Sequence, residues 1–141
     1  MIVWRISEFT ALDGAGGLLS AGRWHRRGRP VIYTAEAPAL ALLEALVRFE
    51  TGGLPTRFQL LEIEVPEGAG QTEWSGELPD DSESQRWGSA WLEEAGTLLA
   101  KVPAAVAPRS FNWLINPAHP DARGLRLVEA RRWNWDSRLA R

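Results

Sequence analysis

The chain has 141 residues, with 16 Lys+Arg against 18 Asp+Glu, a formal net charge of −2 and no cysteine. That length is about one domain, and a composition of 45% hydrophobic and 24% charged residues excludes a disordered or collagen-like chain. Without cysteine there is no disulfide and no thiolate nucleophile or ligand, and the slightly acidic balance disfavours a sequence-independent nucleic-acid binder.

No run approaches the roughly 18 apolar residues of a membrane span. Arg5 interrupts the apolar start and no cleavage-site region follows it, so the expected location is the cytoplasm. Eight tryptophans are read first as packing mass whose N–H groups need partners. Charge is uneven: residues 1–35 carry five Arg against Glu8 and Asp13, residues 62–94 carry ten acids against Arg86, and residues 101–141 carry eight bases against three acids. Solvated faces are the first reading of each cluster; the alternative is that the two basic ends converge on an anionic ligand and leave the acidic middle on another surface.

In chain order, residues 1–7 read as a strand from their β-branched and aromatic content. Residues 13–22 are a glycine-rich loop, residues 23–30 a basic loop closed by Pro30, and residues 31–34 a short strand. A helix is predicted over residues 39–50, with Pro38 near its first turn and Gly52-Gly53 as its stop. Leu40, Leu43 and Val47 form its apolar stripe and draw Glu44 onto that stripe or its edge.

Residues 57–65 alternate as a strand, and residues 66–80 read as a Pro/Gly/acid-rich loop. A second helix is predicted over residues 84–100, with Trp87, Trp91, Leu92, Ala95, Leu98 and Leu99 inward. Short strands fit residues 104–107, 114–115, 124–129 and 132–135. Strands outnumber helices without alternating regularly with them, so the fold class is α+β: mixed or antiparallel sheets with a few helices.

The sequence lacks GxGxxG, a Walker loop, GxSxG and HExxH, so dinucleotide-fingerprint, P-loop, serine-elbow and zincin chemistry have no motif. His25 and His119, 94 positions apart, allow a ribonuclease-like acid–base pair on paper but read as surface residues, and no metal site is expected. What remains is Arg23 in the basic loop, Tyr33 on the next strand and Glu44 on the next helix. These residue types can bind pyrophosphate, stack on a planar ring and stabilise a cationic sugar carbon. Each is also common as a solvated Arg, a core Tyr or a helix-edge Glu.

Residues 22–46, GRWHRRGRPVIYTAEAPALALLEAL, resemble the signature of the RES domain family, toxins of bacterial toxin–antitoxin pairs. The likeness continues through Val3-Trp4-Arg5-Ile6, RWGSAWL (residues 86–92), LLAKVPAAVAP (98–108), FNWLINPAHPD (111–121) and WDSRL (135–139), so residues 1–141 read as one such domain. The resemblance implies an ADP-ribosyltransferase-like core with NAD+ as substrate and no separate cofactor. The nicotinamide–ribose bond would be cleaved by hydrolysis or phosphorolysis. Transfer of ADP-ribose to a protein, or a catalytically silent domain that binds a nucleotide or partner, are the alternatives.

By the same resemblance Glu44, Arg23 and Tyr33 are the catalytic set. Arg5, Arg23, Trp24, Tyr33, Asn112 and Ser110 are the substrate-binding set. Where the family commonly has Ser after Val-Pro, this chain has Ala104 after Val102-Pro103, which leaves Asn112 as the expected polar neighbour of the carboxylate. A helical, Xre-like antitoxin that covers the site is the implied partner, in a hetero-oligomer, with no direct contact to nucleic acid or membrane.

Overall fold

The computed structural model describes residues 1–48, 57–132 and 134–139. Strands β1 (Ile2–Ser7), β2 (Ile32–Ala35), β3 (Gln59–Glu64), β4 (Gln71–Glu73), β5 (Leu99–Pro103), β6 (Phe111–Ile115) and β7 (Arg126–Arg132) form one sheet. Their order is β4-β5-β6-β2-β1-β3-β7, with β4 and β5 parallel and the other neighbours antiparallel. Among the described residues three α-helices accompany it: α1 (Gly16–Leu19), α2 (Pro38–Leu46) and α3 (Asp81–Glu94). The α+β expectation with a mixed sheet therefore describes the architecture.

The sheet has a weak seam. β1 pairs with β3 at six positions, from Ile2↔Glu64 to Ser7↔Gln59, but meets β2 only at Trp4↔Ala35. Where the ladder lapses, the Arg5 guanidinium reaches across and donates to the Tyr33 carbonyl at 2.8 Å. A backbone acceptor left bare by the missing ladder bonds is thereby satisfied by a side chain.

Several local expectations need correction. The glycine-rich residues 13–22 contain the short α1, and the expected loop 66–80 contains β4, which pairs with β5 from Gln71↔Leu99 to Glu73↔Lys101. α2 ends at Leu46, and the Gly52-Gly53 stop lies outside the described residues. Its buried face is Leu40, Ala41 and Ala45, while Leu43 (44% exposed) and Val47 (61%) face outward. The helix thus seats small alanines on the sheet, which brings Glu44 closer than a leucine stripe would.

α3 begins at Asp80, whose side chain accepts from the Glu83 amide at 2.8 Å, and stops at Glu94 because Ala95 turns left-handed (φ 51°). Leu98 is fully buried just before β5, and Leu99 and Ala100 enter the sheet as buried residues instead of prolonging the helix to Ala100. An apolar run of that length fits either period, and pairing with β6 decides. In place of a strand at 104–107 the chain turns back to β6. In place of one at 132–135, β7 runs to Arg132, and Ser137–Leu139 form a turn of 3-10 helix.

The core has three parts. One joins Val3, Ile63 and Val65 to Leu98, Leu99 and Ile115, and a second packs Trp24, Trp91 and Leu92 against Val102 and Leu114. The third holds α2 through Leu40 and Ala41 against Ala35 and Ala104. Trp24, Trp74 and Trp87 meet edge to face with centroids 5.5–5.6 Å apart, so the tryptophan-rich composition is largely packing. No helix among the described residues is long and apolar enough to cross a membrane.

Candidate active site

Two adjoining cavities open at the β1–β2 seam, of about 180 and about 500 Å3. Arg5, Tyr33, Glu44, Arg48 and Asn112 line both. The larger is within the size range of small-molecule sites. Five side chains, from β1, β2, α2, the turn after α2 and β6, thus share one space, although 28 residues separate Arg5 from Tyr33 and 68 separate Glu44 from Asn112.

Glu44 is half-buried, and Asn112 Nδ2 donates to its Oε1 at 2.8 Å, which fixes the carboxylate's orientation. The other end of that amide, Asn112 Oδ1, is buried with no hydrogen-bond partner. A buried acceptor left open beside a cavity is costly unless a ligand donor meets it.

Burial pulls the Arg5 guanidinium down to about 10, and the neighbouring positive charge of Arg48 pulls in the same direction. Arg5 is still a cation near neutral pH. Two like charges held at one cavity wall are relieved by an anion between them, and the guanidinium geometry suits phosphate oxygens. Arg48 belongs to this site but carries no sequence signal beyond lying one helical turn after Glu44.

Tyr33 lines both cavities, and burial pushes its phenol up to about 12 against smaller opposing effects of the Trp24 amide and of Arg48. It is a neutral phenol throughout the physiological range.

Arg23 lines the larger cavity, but its Nη1 sits 3.0 Å from Asp81 and its Nη2 donates to the Pro79 carbonyl at 3.2 Å. Arg29 likewise pairs with Glu93 at 3.6 Å. The basic loop therefore meets the acidic middle, contrary to the alternative of separate surfaces, because α3 packs directly against residues 22–26. Ser84 Oγ donates to the Arg23 carbonyl (2.6 Å) and Gln85 Nε2 to the Gly22 carbonyl (2.9 Å), while the Arg26 amide donates to Ser89 Oγ (3.0 Å). A Cβ at Gly88 would collide with the Trp24 carbonyl, so only glycine allows this approach.

Trp24 lines the larger cavity, with most of its indole buried in the aromatic cluster and its backbone amide donated to Tyr33 Oη at 3.1 Å. Ser110 sits differently from the expectation. Ser110 does not line either cavity, and its backbone closes the turn back to Ala104 and Ala107. Ala104 packs against α2 instead of lining the site.

The two histidines are not a surface pair. His25 is 2% exposed, whereas the His119 side chain accepts from the Asp121 amide at 3.1 Å and starts a 3-10 turn away from both cavities. Among the described residues no group of three His, Asp or Glu side chains is placed to hold a metal.

The RES domain family model matches residues 2–136. A protein of Sphingobium sp. named Prs ADP-ribosylating toxin is 39% identical, covering 98% of this chain and 96% of its own. A protein of Pseudomonas putida named Toxin Res is also 39% identical, covering 99% of both chains. Among solved structures, the M. tuberculosis MbcT–MbcA toxin–antitoxin complex contains a chain that superposes with a TM-score of 0.76 at 18% identity, covering 94% of this chain and 83% of that one. That likeness concerns the fold.

Proposed function

The chain belongs to the RES domain family, and from that membership and the cleft at the β1–β2 seam we propose that it is the toxin of a toxin–antitoxin pair and cleaves the nicotinamide–ribose bond of NAD+. The observation that carries this reading is the convergence of Glu44 and Asn112 with Arg5, Arg48 and Tyr33 on two adjoining cavities.

The chemistry asks little proton transfer of the protein. When the glycosidic C–N bond of NAD+ breaks, its electron pair goes to the ring nitrogen and nicotinamide leaves neutral. The enzyme must hold the dinucleotide and favour positive charge at the ribose anomeric carbon. Glu44, oriented by Asn112, supplies the negative charge beside that carbon. Arg5 and Arg48 receive the pyrophosphate, and the Tyr33 ring packs on the nicotinamide end. Arg23 joins the phosphate set by exchanging Asp81, an exposed and therefore weak partner, for the ligand.

The acceptor oxygen then bonds to the anomeric carbon and releases its proton to solvent. Water gives ADP-ribose, inorganic phosphate gives ADP-ribose 1″-phosphate, and a protein side chain gives an ADP-ribosylated protein. The last outcome is the second reading, favoured by the name of the Sphingobium relative. Such an activity needs restraint in its own cytoplasm, and a helical antitoxin covering the cleft would provide it; the solved relative is a toxin–antitoxin complex.

Incubation of the purified chain with adenylate-labelled NAD+, in phosphate-free and phosphate buffers and with cell extract, tests the reading. Loss of NAD+ with one of the three labelled products supports it and identifies the acceptor. Intact NAD+ under all three conditions overturns it in favour of a silent binding domain.

A further inference from the structure

One buried titratable side chain in the cleft has no part in the mechanism above. His25, on the loop between α1 and β2, lines the larger cavity. Its Nε2 lies 3.2 Å from the Gly17 carbonyl oxygen at α1, and its Nδ1 lies 2.7 Å from Tyr33 Oη. The Gly22 amide also points at Nδ1, at 3.2 Å.

These partners settle the ring's protonation pattern. A carbonyl only accepts, so Nε2 carries the proton, and a backbone amide only donates, so Nδ1 presents its lone pair. The phenol therefore donates to Nδ1. Tyr33 Oη in turn accepts from the Trp24 amide at 3.1 Å. The hydroxyl proton and one lone pair are thus committed within the protein. Gly22 closes over the same oxygen so tightly that a Cβ there would collide with Tyr33 Oη.

We propose that His25 is a positioning residue for Tyr33: as the Nε2–H tautomer, braced by the Gly17 carbonyl, it takes the phenol's hydrogen bond and holds the ring as a rigid wall of the cleft. Tyr33 then meets the substrate through its ring and not as a proton donor. The tether also joins α1 to β2 on either side of the basic loop, so the loop that presents Arg23 is braced at the same point. This proposal rests on the cleft being an NAD+ site, and the test below separates the two.

The chain has one tyrosine and two histidines, so isotope labels give resolved signals. In the full chain labelled with 15N-histidine and 13Cζ-tyrosine, with His119→Gln to assign the imidazoles, His25 should show a protonated Nε2 and an unprotonated Nδ1. The tyrosine Cζ resonance should move in His25→Leu. It should return in His25→Asn, whose oxygen reaches the Nδ1 position, but not in His25→Gln, whose polar end reaches the Nε2 position.

In parallel, kcat/KM for NAD+ should fall about tenfold to a hundredfold in His25→Leu, as expected for a misplaced contact. His25→Asn should recover most of the loss and His25→Gln little of it. Tyr33→Phe should fall about as far as His25→Leu, and the double variant no further, because both remove one tether. A protonated Nδ1, a Cζ resonance indifferent to His25→Leu, or additive kinetic losses would overturn the positioning role while leaving NAD+ cleavage standing. Wild-type protein that leaves NAD+ intact overturns the NAD+ reading itself, whatever the resonances show.

Discussion

The aromatic packing under α3 and the open seam between β1 and β2 lie side by side, joined by residues 22–25, yet they treat polar atoms in opposite ways. Under α3 the indole N–H groups of Trp74 and Trp91 donate to the Glu77 carbonyl and to Thr97 Oγ1, at 2.8 and 3.0 Å. The buried Asn116 amide likewise donates to the Leu92 carbonyl at 3.1 Å. At the seam, Asn112 Oδ1 is buried without a partner and the half-buried Arg5 lies beside a second cation. Those groups under α3 are satisfied by the protein's own atoms, whereas Asn112 Oδ1 at the seam borders a cavity and has no such partner. An unmet buried acceptor on the wall of the cleft costs stability, and the proposed ligand would offset that cost.

The comparison breaks most sharply at Glu44. Glu44→Gln keeps the size and the hydrogen-bonding partner but removes the charge. NAD+ consumption should fall by about a hundredfold to a thousandfold or more, with the urea unfolding midpoint unchanged. Turnover near wild type would remove the carboxylate from the mechanism. On the other side, Trp24→Ala should cost about 3–5 kcal/mol in denaturant unfolding by emptying the aromatic cluster. A small stability loss there would mean that the indole is a ligand contact and not core.

Arg48→Ala sharpens the contrast within the seam. It should raise KM for NAD+ about tenfold while kcat stays within about threefold, since a phosphate contact away from the breaking bond binds ground state and transition state alike. A loss confined to kcat would move Arg48 to the ribose. The smallest effect is alkaline. The folded phenol of Tyr33 lies near 12 and the unfolded one near 10, so the folded state keeps its proton longer. Its contribution is fully present below about pH 10 and is lost as pH rises toward 12. The stability advantage of wild type over Tyr33→Phe should shrink across that window, and a constant difference would contradict the burial.

Composition made β1 legible, alternation β3, and Pro38 the start of α2. Pattern reading failed where two structures share one pattern: the run 98–100 suits a helix or a strand, and only the pairing of Leu99 and Ala100 with β6 decides. The candidate residues stand out by resemblance to a family signature and not by their chemistry. Arg5, Tyr33, Glu44 and Asn112 share one cleft, whereas Arg48 carries no motif and His25 looked like a surface residue until the fold enclosed it. Arg23 shows a further limit. A sequence places a guanidinium near a site, but only the packing of α3 against the basic loop reveals that Asp81 holds it there.

The central claim is spatial, and a crystal structure of Glu44→Gln with a non-cleavable carba-analogue of NAD+ tests it most directly. The account predicts the analogue's anomeric position within roughly 3–4 Å of the residue-44 side chain, the pyrophosphate between Arg5 and Arg48, and the nicotinamide against the Tyr33 ring. A dinucleotide bound elsewhere, or one with its ribose turned away from residue 44, would contradict it.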